Sequence, residues 1–224
     1  MAKLFQVSTY DALKRGNYDY TISIDYFLRN GDIGLGAYNG LNGEAIFLDG
    51  KAYNASSRGF VREMTIPQTG ISFGQITKFN PEVDEICLTE VASLEDLKAK
   101  LEPVFERKGK NFFYVVKVTG TFSSIKVRSF GKQVKPYKPM DEIKEDEKEF
   151  TYTNEEGTLV GFFTPSIFKG LSSEGWHFHY LSSSLKHGGH VCELSAAELK
   201  YKANMIDKFE VKLPQNKEFT KMEF

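Results

Sequence analysis

Four histidines, His177, His179, His187 and His190, are the chain's whole complement, and one short window holds them all. The window reads Gly175-Trp176-His177-Phe178-His179-Tyr180, then a Ser/Lys-rich turn, then Gly188-Gly189-His190-Val191. On a β-strand, residues i and i+2 share a face. His177 and His179 therefore project together, roughly 6–7 Å apart along the strand. Residues 181–187 can reverse the chain and return His190 on a neighbouring strand ~5 Å away. Three imidazoles turned to one point match a metal site with an open position, whereas closed structural zinc sites use four ligands, often Cys. The expected ion is zinc, with another divalent metal as the alternative. His187 falls in the turn and is left out of the set. Two other readings compete. One is an ordinary hairpin that happens to carry histidines. The other is a cupin-like metal oxygenase, but cupins usually place a Glu soon after the paired histidines, and no acid lies between His179 and His190.

The elements that must position this cluster are mostly strands. Aromatic residues make up 14% of the chain, with 19 Phe and 11 Tyr, which favours a β-rich core. Short helices are expected over Thr9–Arg15 and Ser23–Asn30, the second stopping at Gly31. Strands are expected at Ile33–Tyr38, Glu44–Leu48, Lys51–Asn54 and Ile71–Phe79, with Asp49-Gly50 as the strongest hairpin signal. Ser93-Leu94-Glu95-Asp96 resembles a capping box that opens a helix through Leu97 and Leu101. Pro103 should kink or end that helix.

Two further strands are expected at Phe112–Phe122 and Ser124–Phe130. Lys138–Glu156 is rich in Glu, Asp and Lys and reads as an exposed connection. More strands follow at Thr158–Phe163, Gly175–Leu181, Gly189–Leu194 and Leu199–Met205. The glycines Gly34, Gly36, Gly40 and Gly43 miss nucleotide-loop spacing and read as turn and close-packing positions. The fold class is α+β and β-dominated. It is read as one domain over residues 1–224, with subdomains at 1–138 (mixed β-sheet with helices) and 157–224 (a β-barrel-like, metal-carrying part) joined by the charged connection 139–156.

Bulk properties narrow the partners. With 29 basic and 30 acidic residues the formal charge is -1, which gives no electrostatic footprint for nucleic acid. No apolar run approaches the ~18–20 residues of a membrane span, so no membrane partner is expected. Cys87 and Cys192 are too few for a disulfide framework and lack metal spacing. The start, Met1-Ala2-Lys3-Leu4-Phe5-Gln6, lacks a long apolar stretch, so no signal peptide is expected and the cytoplasm is the expected location.

Taken in order, several pieces resemble the α-acetolactate decarboxylase family. They are Asn30-Gly31-Asp32-Ile33-Gly34-Leu35-Gly36, Leu41-Asn42-Gly43-Glu44, Phe47-Leu48-Asp49-Gly50-Lys51-Ala52-Tyr53, Gly120-Thr121-Phe122, Val127-Arg128, Gly161-Phe162-Phe163-Thr164-Pro165 and the histidine window. The resemblance implies a zinc-dependent homodimer that converts 2-acetolactate, a small 2-hydroxy-3-keto acid, to acetoin and carbon dioxide. It also implies an N-terminal mixed sheet and a C-terminal barrel carrying the metal. The family's ligands fall on His177, His179 and His190, its glutamate near the metal on Glu44, and its active-site arginine on Arg128.

Those residue types suit the reaction. A Lewis-acid cation stabilises the enediolate charge that develops as carbon dioxide leaves. No organic cofactor is expected, because the substrate ketone is already placed to accept the electrons. Arg128 would clamp the carboxylate bidentately and help deliver a proton. Glu44 would hold a metal-bound water or orient the substrate hydroxyl. The chain departs from the family in three places. The turn is Leu181-Ser182-Ser183-Ser184-Leu185-Lys186, where acids and an Arg are usual. Ala37 stands where Thr is common. Many members have a C-terminal tail that brings a second glutamate to the metal, and with Lys221-Met222-Glu223-Phe224 at its end this chain is expected to lack that glutamate, Glu223 being a poor substitute. These departures motivate one alternative, a catalytically weak homologue that binds a hydroxy-keto acid.

Overall fold

A computed structural model describes residues 2–65, 69–81 and 84–224. Its elements run β1 (Ala2–Val7), α1 (Tyr10–Lys14), β2 (Ile22–Ser23), α2 (Ile24–Leu28), β3 (Ile33–Tyr38), β4 (Glu44–Leu48), β5 (Lys51–Ala55), β6 (Val61–Glu63) and β7 (Gly70–Thr77). They continue with β8 (Ile86–Val91), α3 (Leu94–Lys100), β9 (Phe113–Phe130), β10 (Glu147–Thr164), β11 (Gly175–Ser182), β12 (Gly188–Lys212) and α4 (Lys217–Thr220). The protein is β-dominated, as its aromatic content predicts.

Local chemistry sets the short elements. Thr9, Ser23 and Ser93 each accept a backbone N–H at a helix start, which satisfies an otherwise orphaned donor. Asp96 completes the α3 cap by accepting from the Ala92 N–H at 2.9 Å. The α3 helix ends at Leu101, and Pro103 follows in a 3-10 turn. The β4–β5 hairpin turns on Asp49 (φ 51) and Gly50 (φ 77), the doubly left-handed geometry that an Asp-Gly pair favours.

Among the described residues, all twelve strands belong to one sheet. Its order is β11-β10-β9-β12-β1-β7-β3-β4-β5-β6, with β2 on β7 and β8 on β12. The sheet is mixed, since β1 pairs parallel with β12 while its other partner, β7, is antiparallel. A further pairing of β11 with β12 closes β9, β10, β11 and β12 into a small barrel. Phe122, Val127, Phe178, Tyr180 and Val191 are among the buried residues that fill this part of the core. Phe122 meets Tyr180 edge-on at 5.3 Å. A second cluster, including Leu35, Ile46, Val160 and Phe162, ties the barrel to the N-terminal strands.

Three expectations are corrected. Phe113–Phe130 forms one continuous strand, as does Gly188–Lys212, where two strands each were expected. The stretch 139–156 is only partly a connection. Residues 140–146 form 3-10 turns, but Glu147 begins β10, which pairs with β9 from Glu147↔Phe130 to Phe163↔Tyr114. The charges misled because residues 147–156 extend past the core, so most face water and pair across strands, as Lys126 does with Glu149 at 3.0 Å. The usable signal was the alternation of half-buried Phe150 and Tyr152 with exposed Thr151 and Thr153. The barrel also takes β9 from outside 157–224.

Gly36 and Gly74 sit opposite one another in the β3–β7 pair. A Cβ at Gly36 would lie 2.3 Å from the Phe73 carbonyl oxygen and 2.6 Å from Gly74 Cα. Backbone atoms cannot yield as a flexible side chain can. Gly36→Ala is therefore expected to destabilise the protein by about 1–3 kcal/mol through overpacking, read as a lower urea midpoint. An unchanged midpoint would refute the close-packing role.

Candidate active site

Register delivers the site. His179 pairs with His190 across β11 and β12, and His190 pairs with Arg128 across β12 and β9. Directly opposed residues point to the same face of a sheet, so His179, His190 and Arg128 form one row across three strands. His177 joins that face two residues back along β11. Glu44 comes from the N-terminal half of the chain as the first residue of β4. Its approach is fixed by Gly43, which adopts φ 81 and donates its N–H to the Phe130 carbonyl at 3.1 Å.

The imidazoles converge as the spacing predicts. Ring centroids are 4.9 Å apart for His177 and His179, 4.8 Å for His177 and His190, and 5.5 Å for His179 and His190. One ligating atom from each lies within 4.8 Å of the others. His187 stands apart: its Nδ1 is 2.6 Å from Glu155 Oε1, and its ring stacks on Tyr152 at 4.0 Å.

The donor set fits a cation. The Ala45 carbonyl can only accept, so His179 Nδ1 donates to it at 2.9 Å, and the ring's lone pair lies on Nε2. That Nε2 and His177 Nδ1 are buried without a hydrogen-bond partner. Leaving such an atom unsatisfied costs about 1–3 kcal/mol, and a metal ion would satisfy it. Glu44 Oε2 lies 3.4 Å from the same Nε2, but not in hydrogen-bonding geometry.

Burial sets the charge states. It lowers His179 from 6.5 to about 4 and holds His177 and His190 well below their ordinary value, so all three rings are neutral ligands at pH 7. Burial raises Glu44 to about 8, partly offset by Arg128. Burial works against the Arg128 charge, yet Glu44 and Glu147 outweigh it and its pKa rises. Arg128 also donates to Glu147.

These five residues line a cavity of about 50 Å³. It adjoins an outer cleft of about 940 Å³, and Tyr10, Arg128, Phe130 and Met140 wall both. The sequence reading missed Tyr10, Phe130, Met140 and Glu147. Tyr10 and Met140 carry no local pattern that marks a site, and Glu147 lay in the stretch read as a connection. Ala37 is in the cavity wall. Glu223 is exposed and outside that wall. Its carbonyl accepts from Arg15, whose guanidinium lies 5.3 Å from the Phe224 ring.

The family model described as Alpha-acetolactate decarboxylase matches residues 4–224. A relative so named from Brevibacillus brevis is 36% identical over 216 residues, covering 96% of this chain and 74% of that protein. One from Lactococcus lactis subsp. lactis is 32% identical and covers 98% of this chain and 91% of its own length. The crystal structure of acetolactate decarboxylase from Bacillus subtilis subspecies spizizenii is similar at a TM-score of 0.93 and 28% identity, over 99% of this chain and 94% of that one. These similarities do not favour the cupin-like reading.

Protons compete with metal for imidazole nitrogen. Because burial holds these rings below 6.5, bound metal is expected to persist at pH 6 and to be lost as pH falls towards 4. Metal analysis after dialysis across that range checks it, and loss centred on 6.5 would contradict the assignment. The His179→Ala variant is expected to retain less than about a tenth of the metal at pH 7.

Proposed function

Since the chain belongs to the alpha-acetolactate decarboxylase family, a family of carboxy-lyases, we propose that it decarboxylates 2-acetolactate to acetoin and carbon dioxide, with one divalent metal ion, zinc by preference, held by His177, His179 and His190. The observation that carries this reading is the meeting of three neutral imidazoles, a carboxyl group and a charged guanidinium in one cavity. Nitrogen donors of this kind suit zinc, and three protein ligands leave a position open. On the family resemblance the working form is a homodimer, and two cysteines without a disulfide framework suit the reducing cytoplasm.

When bound, the metal supplies a Lewis acid at the substrate oxygens. The chain's own residues do the rest. Arg128 binds the departing carboxylate at the mouth of the cavity, and Glu147 keeps its fork in place. The bond between the carboxylate and its carbon then breaks, and its electron pair passes into the neighbouring ketone. One proton must be taken up per turnover. The Glu44 carboxyl, raised to about 8 by burial, is a group able to carry one at neutral pH. Its Oε2 also faces the ligand cluster, where it can orient the substrate hydroxyl. Tyr10, Phe130 and Met140 narrow the passage from the cleft and limit water around the reacting carbon.

Acetoin formation from acetolactate is expected to disappear on chelation and return with added zinc, with His177→Ala inactive under both conditions. Failure of metal-loaded protein to form acetoin, beside a working decarboxylase control, would favour the weak-homologue reading. Arg128→Lys is expected to lower kcat/KM by about 100-fold or more, because a point charge cannot replace a bidentate fork. Wild-type kinetics in that variant would remove Arg128 from the mechanism.

A further inference from the structure

Behind the turn that leads into β4, a pocket of about 320 Å³ is walled by Arg58, Arg62 and Lys132, with Ser56, Ser57 and Asn54 among its other walls and no acid in its lining. We propose that this pocket binds a small oxyanion, a carboxylate or a phosphate, at a site separate from the metal cavity. Two observations carry the assignment.

The first is charge. Among the described residues, none of the three cations makes an ion pair. Elsewhere cations of this chain find acids, as Lys126 does with Glu149 and Lys135 with Asp19. Three like charges around one hollow repel each other, and an oxyanion between them relieves that repulsion. Guanidinium forks and serine hydroxyls are also the donors that oxyanion geometry favours.

The second is preorganisation. Arg62 is paired with Asn54 across β5 and β6, so both side chains rise from one face. Arg58 sits in a tight turn held by Ser56 N–H to the Phe60 carbonyl and Gly59 N–H to the Ser56 carbonyl, each at 3.0 Å. Lys132 runs its stem beside Gly40, and the next residue, Gln133, donates its N–H to the Gly40 carbonyl at 2.7 Å. The cations thus stand on fixed backbone rather than on a free loop.

Asn54, in the inner wall, is buried and donates through Nδ2 to the Asn42 carbonyl at 2.8 Å, which holds that wall in place. The occupant would rest against Asn42 and Lys132, which lie outside the metal cavity, before β4 and after β9.

The test is calorimetric titration of metal-loaded protein with inorganic phosphate and, separately, with lactate, at constant ionic strength. The expected result is saturable binding of at least one probe that weakens ~10-fold or more in the Arg62→Gln/Lys132→Gln double variant, with metal content unchanged. Binding of phosphate alone, lactate alone or both identifies the anion class. No saturable binding of either probe overturns the proposal. So does binding that the double variant leaves unaltered, as an anion resting on the metal would.

Discussion

The whole site depends on strand register in the small barrel. His179, His190 and Arg128 are opposed across β11, β12 and β9. A slip of one residue in any of these pairings would turn a functional side chain to the other face. The register is pinned by length and by packing. The strands β9 and β10 pair almost end to end, and Phe122, Tyr180 and Val191 are buried against one another's cluster. Long pairing is therefore part of the chemistry, because it converts four positions in sequence into one constellation.

Burial then decides what those side chains are. Imidazoles exposed to water would be partly protonated near pH 6.5 and would repel a cation. Here desolvation keeps them neutral, and His177 Nδ1 and His179 Nε2 are left without a partner. The same dry surroundings raise Glu44, while the Glu147 carboxylate keeps Arg128 charged. One environment thus holds bases uncharged, an acid protonated and a guanidinium ionised. Acid and base character separate within one cavity.

Much of the fold was legible where local rules act alone. Thr9, Ser23 and Ser93 cap helices, Pro103 follows the end of α3, and Asp49-Gly50 turns a hairpin because each conformation is set within a few residues. Reading failed where charge and burial part company. Residues 147–156 look like a solvated linker, yet they are strand, since two-sided pairing of β9 needs a partner even beyond the core. Likewise the breaks expected within β9 and β12 do not occur, because their neighbours continue the ladder through Thr121–Ser124 and Ser195–Glu198.

The histidine spacing, by itself, determined that His177 and His179 share a face and that His190 can return beside them, because strand periodicity is a local property. The resemblance to a family rests on the same string of residues. Tertiary structure alone decided that Glu44 arrives from a strand far from the histidines in sequence, that Glu147 braces Arg128, and that Tyr10 and Met140 narrow the entrance. It also gathered Arg58, Arg62 and Lys132 around one hollow. The reason is physical: these contacts join segments far apart in sequence, and their geometry exists only once the sheet has closed and excluded water.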